Sequence, residues 1–255
     1  MNTGLWISEL ERIWKGKRIR AFGCVYLLAL LIDIGFLRLT GGIKIDLSSW
    51  FSVDALNLPV FIMKDMSFLL QLFVLPGLFV ESLADEIHSG AYRIYMLRSF
   101  DRYQHWLVKL LTQIVLIVSF IFGTTLVSLA CGWLFFSHPQ STVVYLVPES
   151  IGYGNVLWLT IQYDLLLVLT SIAVLVICSV FSILITRVSI VYACTILGLL
   201  GSYVIVSELR FLHDPFVSIL RVLCGQGSMI FWVYLTGIVV ICPIISFWIW
   251  SKRGM

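Results

Sequence analysis

The chain has 255 residues, 60% of them hydrophobic and only 12% charged, with a net charge of +3. A water-soluble domain of this size could not hide so much apolar surface, and so small a charge does not suit a nucleic-acid binder. What remains is an integral membrane protein whose exterior is solvated by lipid.

The first twenty residues include Glu9 and Glu11, and no A-x-A-like site follows the first apolar run, so they do not read as a signal peptide. Trp6, Ile7, Leu10, Ile13 and Trp14 follow the i, i+1, i+4, i+7, i+8 spacing of one helical face, with Glu9, Glu11, Arg12 and Lys15 away from it. This pattern predicts an amphipathic helix over 1–20 that rests in the headgroup layer.

Crossing the hydrocarbon core takes ~20 apolar residues. Six runs qualify: 21–37, 60–80, 106–136, 156–186, 189–206 and 230–250. Lys64 and Asp65 interrupt the start of the second run, and its Pro76-Gly77 pair predicts a kink or local break. The third and fourth runs are long enough to tilt or to project beyond the bilayer. Thr124, Ser128 and Gly132 in the third, and Gly198 and Ser202 in the fifth, have small-x-x-x-small spacing and read as helix-packing faces, with a homodimer seam as the alternative.

With six spans and both ends inside, twelve of the seventeen Lys and Arg fall on the cytoplasmic side. Of the nine tryptophans, none falls in the middle of a span. The sum is an all-α integral membrane protein of one domain over 1–255: the interfacial helix 1–20, six transmembrane helices within 21–250, a cytoplasmic loop 81–109 and a tail 251–255, with both termini cytoplasmic. Five of the six cysteines lie in apolar runs as small fillers; Cys224 alone falls in a loop, where a bridge to Cys131 is the alternative.

Several chemistries lack their motifs. Gly16-Lys17 has no upstream glycine to make a P-loop, and neither H-E-x-x-H nor G-x-S-x-G occurs. No enzyme activity or cofactor is therefore expected on this chain. Asp85 and His88 stand one helical turn apart, but two ligands make a poor metal site.

The segment 81–109 is long, mixed in charge and rich in Tyr and Arg, the composition of a protein-docking surface. Its Glu86-x-x-x-Gly90-x-Tyr92-Arg93, just after the second span, resembles the coupling segment of ABC type-2 exporter permeases, including the G-subfamily exporters. A stretch similar to Leu97–Arg102 and a Lys like Lys109 at the start of the third span follow in bacterial members; the family's usual Pro-Val-Ser-Arg is replaced by Ser99-Phe100-Asp101-Arg102.

The resemblance implies a multi-pass subunit in a bacterial plasma membrane. It also implies a separate ABC ATPase that carries ATP and Mg, and a second permease that is identical or a paralogue. Asp85, Glu86, His88, Gly90, Tyr92 and Arg93 would couple to that ATPase. Spans two and five would line the pathway, and 207–229 would re-enter the membrane as short helices. Proteins of this plan pass peptides, antibiotics, lipids and polysaccharides; a mostly apolar pathway favours a small peptide, antibiotic or other amphipathic compound as cargo. An intramembrane lipid-modifying enzyme and a non-transporting sensor or assembly subunit are the alternatives.

Polar groups inside spans are functional candidates by default. Asp33 has Arg38 as its nearest base in sequence, and Asp164 is flanked by Gln162 and Tyr163. Phe68 and Gln71, one turn apart, are expected on one face of the second span, which the resemblance makes a pathway face.

Overall fold

The computed structural model describes residues 3–46, 49–80, 102–147, 150–185 and 187–252. Helix α1 (Thr3–Lys15) stops at Gly16, and α2 (Lys17–Thr40) begins directly after it. Gly41 ends α2 in the left-handed conformation, φ 69°, and its N–H closes on the Leu37 carbonyl at 2.9 Å, a geometry that favours glycine. A ribbon of β1 (Gly42–Asp46) and β2 (Ser49–Ser52) follows. Its register pairs Ile43 with Phe51 on the inner face and Lys44 with Trp50 on the outer.

Helix α3 runs over Leu58–Val80 with one widened turn, and α4 over Arg102–Phe135. A second short ribbon, β3 (Ser141–Thr142) with β4 (Ile151–Gly152), leads into α5 (Tyr153–Leu184). Then come α6 (Val188–Ile205), a 3₁₀ helix (Ser207–Leu212), α7 (Pro215–Leu223) and α8 (Met229–Lys252). The two ribbons are additions to the all-α expectation and occupy connections at one end of the bundle.

Among the described residues, five helices are long and apolar enough to cross a membrane: Ile19–Thr40, Leu58–Val80, Trp106–Phe135, Tyr153–Leu184 and Met229–Ile249. The fifth expected span is different. α6 has only 18 residues, a rise of ~27 Å, short of the ~30 Å hydrocarbon core. The chain then runs on through the 3₁₀ helix and α7, both of which pack against α5.

α3 and α5 form the centre, and α8 packs along α5. On α2, Tyr26, Leu30, Ile34 and Leu37 turn inward, while Val25, Leu28, Ile32 and Phe36 face out. A helix with one packed face and one bare apolar face needs lipid on the bare side. The Thr124/Ser128/Gly132 stripe is used within the chain. Thr124 meets Tyr26 of α2, and Gly132 lies so close to Ala55 that a Cβ there would stand 3.0 Å from its carbonyl oxygen.

The ribbon end is locked by a buried polar knot. Asp54 Oδ1 accepts the N–H groups of Leu56 (2.9 Å) and Asn57 (3.0 Å) and so caps the first turn before α3. Asn57 Nδ2 donates to the Ser52 carbonyl at 3.0 Å and to the Thr142 hydroxyl at 2.9 Å, and Thr142 donates to Asp54. The start of α3 is thereby tied to both ribbons.

Candidate functional site

α3 is regular to Leu69 and then opens into a π-turn over Leu70–Val74, where the Leu75 N–H reaches back to the Leu70 carbonyl. Pro76 follows at once. Having no N–H, it cannot continue the regular hydrogen-bond ladder, and the kink expected from Pro76-Gly77 takes this widened form. Gln71 sits in the turn and is fully buried. Its amide meets two carbonyls and one hydroxyl, and only one orientation satisfies all three. Nε2 donates to Phe211 O (3.1 Å) and Leu212 O (2.9 Å), and Oε1 accepts from Thr170 Oγ1 (2.9 Å).

Those two carbonyls end the 3₁₀ helix, where a helix always leaves acceptors without partners inside it. Gln71 supplies the donors. Thr170 lies about halfway along α5, so the broken segment 207–223 reaches the middle of the bundle. Its apolar side chains anchor it there. Phe211 packs edge-on against Phe231 (5.0 Å between ring centres), and Phe216 lies 6.0 Å from the Tyr163 ring and 6.4 Å from Tyr145. Its polar side chains stay at the rim. The Arg210 guanidinium donates to Asp214 at 2.7 and 3.1 Å. Burial pulls His213 below the usual imidazole range, with Asp214 opposing the shift and Arg210 adding to it.

The intramembrane acids do not converge. Asp164 is fully buried on α5; its Oδ2 accepts the Thr125 hydroxyl at 2.7 Å, and its Oδ1 has no hydrogen-bond partner among the described residues. Beside it, Tyr26 and Thr124 share a hydrogen bond of 2.9 Å between α2 and α4. Asp33 lies half-buried on α2, where the charges that act on it are Asp65 and Lys64 of α3. Arg38 is not its partner; the guanidinium lies over the Phe135 ring, 5.0 Å from its centre. His138 packs against Trp133 instead of approaching either acid.

Phe68 and Gln71 do not share a face. Phe68 is 39% exposed, whereas Gln71 points into the core. The widened turn changes the angular spacing just where the two would align.

At the opposite end, α1 is docked rather than merely afloat. Ile13 is buried in the bundle, while Ile7 and Trp14 remain exposed. Glu9 lies between two bases. Arg12 reaches its Oε1 at 2.6 Å, and Lys109 of α4 lies 3.8 Å from the same oxygen. The Lys109 and Glu9 side chains are only 7% and 17% exposed. Nearby, Trp106 packs against Phe247 of α8, and Val80 at the end of α3 packs with Val191 of α6.

The expected coupling residues Asp85, Glu86, His88, Gly90, Tyr92 and Arg93 lie outside the described residues. All six cysteines are free thiols, so Cys131 and Cys224 are not bridged. Among the described residues no group of three His, Cys, Asp or Glu side chains could hold a metal ion. Thr125, Thr170 and Glu9, the partners of Asp164, Gln71 and Lys109, belong to no sequence motif that marks them as site residues. No family model and no curated protein matches the chain.

Proposed function

We propose that this chain is the membrane-spanning permease subunit of an ATP-driven exporter of the ABC type-2 class. A separate ATPase hydrolyses ATP with its Mg, and a second permease, identical or a paralogue, completes the pathway. Both termini face the cytoplasm of a bacterial cell, and α6 with its folded-back segment counts as the fifth of six spans. The distribution of Lys and Arg supports that orientation, because it assigns twelve of the seventeen to the cytoplasmic segments of the six-span arrangement. An amphipathic passage favours a small peptide, an antibiotic or a similar compound as cargo.

The observation that carries this reading is the course of α3. One end of the helix leads directly into segment 81–101, where the E-x-x-x-G-x-Y-R arrangement lies. Nine residues earlier, ~13 Å along the axis, Gln71 holds the broken segment that plugs the ribbon end. A displacement of that loop by the ATPase travels along α3 to the plug. The bundle then has two arrangements for ATP to bias: plug seated and plug withdrawn.

The test has two parts. Purified from its native membrane in mild detergent, the chain brings down an ATPase subunit. In proteoliposomes with that ATPase, Glu86→Ala and Gly90→Val hydrolyse ATP but no longer export, while insertion is unchanged. A chain that associates with no ATPase, or two variants that export normally, overturns the proposal.

A further inference from the structure

Two adjoining cavities of about 240 and 230 Å³ form one groove between α2 and α4, open toward the surrounding lipid. Trp14 and Arg20 stand at one end, Gly23 and Gly123 line its middle, and Leu30 and Val127 mark the other end. Ten residues of α2 separate Arg20 from Leu30, a length of ~15 Å, which is half of a ~30 Å hydrocarbon core. The groove therefore runs from the headgroup layer to the middle of the membrane within a single leaflet.

The lining is apolar in effect. Tyr26 and Thr124 bond to each other, and Ser119 donates to the Val115 carbonyl at 2.8 Å, so each polar group there already has a partner. A Cβ added at Gly23 or Gly123 would meet no heavy atom within 4 Å, so these glycines leave open space in the groove. An unfilled apolar groove in a bilayer loses dispersion contacts that a hydrocarbon chain would supply.

The mouth has the opposite character. The Arg20 guanidinium donates to the Lys15 carbonyl at the end of α1 (3.0 Å), which holds it over the opening. Lys17 stands one turn earlier, and neither Lys17 nor Arg20 has a carboxylate within 4 Å among the described residues; the acids of α1 are engaged elsewhere, Glu9 by Arg12 and Lys109 and Glu11 by Lys15. Trp14, 56% exposed, adds an indole at headgroup depth. An uncompensated Arg20 at the mouth of an apolar slot of one-leaflet length, with a second cation, Lys17, three residues before it on α2, is complementary to a phosphate that carries an acyl chain.

We infer that the α2–α4 groove binds one anionic phospholipid of the leaflet on the α1 side, with its phosphate at Arg20 and Lys17 and one acyl chain along Gly23 and Gly123. The site wedges lipid between α1 and the first span, so α1 is fixed by the bilayer as well as by Glu9–Lys109. It does not depend on the transport reading, since it involves neither the ATPase loop nor the plug.

The full chain is reconstituted into nanodiscs of phosphatidylglycerol and phosphatidylcholine (1:3), released, and weighed by native mass spectrometry. The wild type retains one phosphatidylglycerol per chain, enriched at least fivefold over the bulk ratio. Gly123→Leu fills the groove and lowers retention at least tenfold, and Gly23→Leu does the same should Gly123→Leu fail to fold. Arg20→Gln keeps a lipid in the groove but brings the headgroup ratio back to that of the bulk. Gly237→Leu, placed on α8 where a Cβ is equally unhindered, changes nothing. Equal retention of both lipids by the wild type, or undiminished retention in both groove-filling variants, overturns the inference. So does a change in oligomeric state with retention unaltered, which would make the groove a seat for a second copy.

Discussion

Gln71→Met keeps the size of the side chain and removes the amide. Three hydrogen bonds are lost, and the Phe211 and Leu212 carbonyls stay buried without donors. A hydrogen bond contributes a net ~0.5–1.5 kcal/mol, with membrane examples averaging ~0.6, and a stranded buried group costs ~1–3. The expected loss is about 2–4 kcal/mol, confined to the broken segment because α3 keeps its packing. At 1.4 kcal/mol per decade this is roughly a 30- to several-hundred-fold rise in local opening. Hydrogen exchange read by mass spectrometry on peptides spanning 207–223 measures it directly. Gln71→Glu grades the assay, since the buried neutral acid still accepts from Thr170 but has one O–H for two carbonyls. Both variants accelerate exchange in 207–223 and leave α4 and α5 protected. An acceleration below threefold in both, or one spread evenly over the chain, would refute the idea that Gln71 holds the plug.

Asp164→Asn is neutral or stabilising in a detergent melt, because the amide can still meet Thr125 without the desolvation cost of a buried acid; a loss above ~2 kcal/mol would assign the carboxylate a structural role. Glu9→Gln removes the carboxylate that joins Lys109 to α1 and loosens α1, seen as faster proteolysis near Gly16. Adding Lys109→Met recovers part of the loss, with a coupling of ~1–2 kcal/mol in the double-mutant cycle; strict additivity would count against the clamp. For His213 the folded pKa is lowered, so the unfolded segment binds the proton more readily. Stability that is complete above the free imidazole value of ~6.5 is lost as pH falls through the folded value. Exchange in 207–223, corrected for intrinsic rate, thus rises from pH 7.5 to pH 5.5 in the wild type and stays flat in His213→Gln.

Much of the architecture could be read from the chain because membrane helices announce themselves by length and uninterrupted apolarity. The runs at 106–136 and 156–186 became α4 and α5 with ends shifted by a few residues. Pro76 signalled a disturbance in α3, and Trp6 through Trp14 signalled α1. The ribbons were missed because Gly42–Asp46 and Ser49–Ser52 are too short to show a period against their neighbours. The tie from Gln71 to Phe211 and Leu212 could not be foreseen, since its acceptors are main-chain carbonyls 140 and 141 residues away and no residue type encodes them. The shared face expected for Phe68 and Gln71 assumed 3.6 residues per turn across a stretch that departs from it. Glu9 looked like one charge among many on a solvated helix side, and only the docking of α1 on α4 reveals its buried counterpart.

The extra residue accommodated at Leu70–Val74 gives α3 a kind of slack. Were that surplus drawn out into regular α-helix, the stretch leading to Val80 would rotate by ~100° and advance ~1.5 Å relative to the part anchored at Asp54 and Asn57. Such a slip would pull the Gln71 amide out of line with its carbonyl acceptors while the ribbon end stayed put. A single helix could thus act as a ratchet with two stops, and no domain would have to swing.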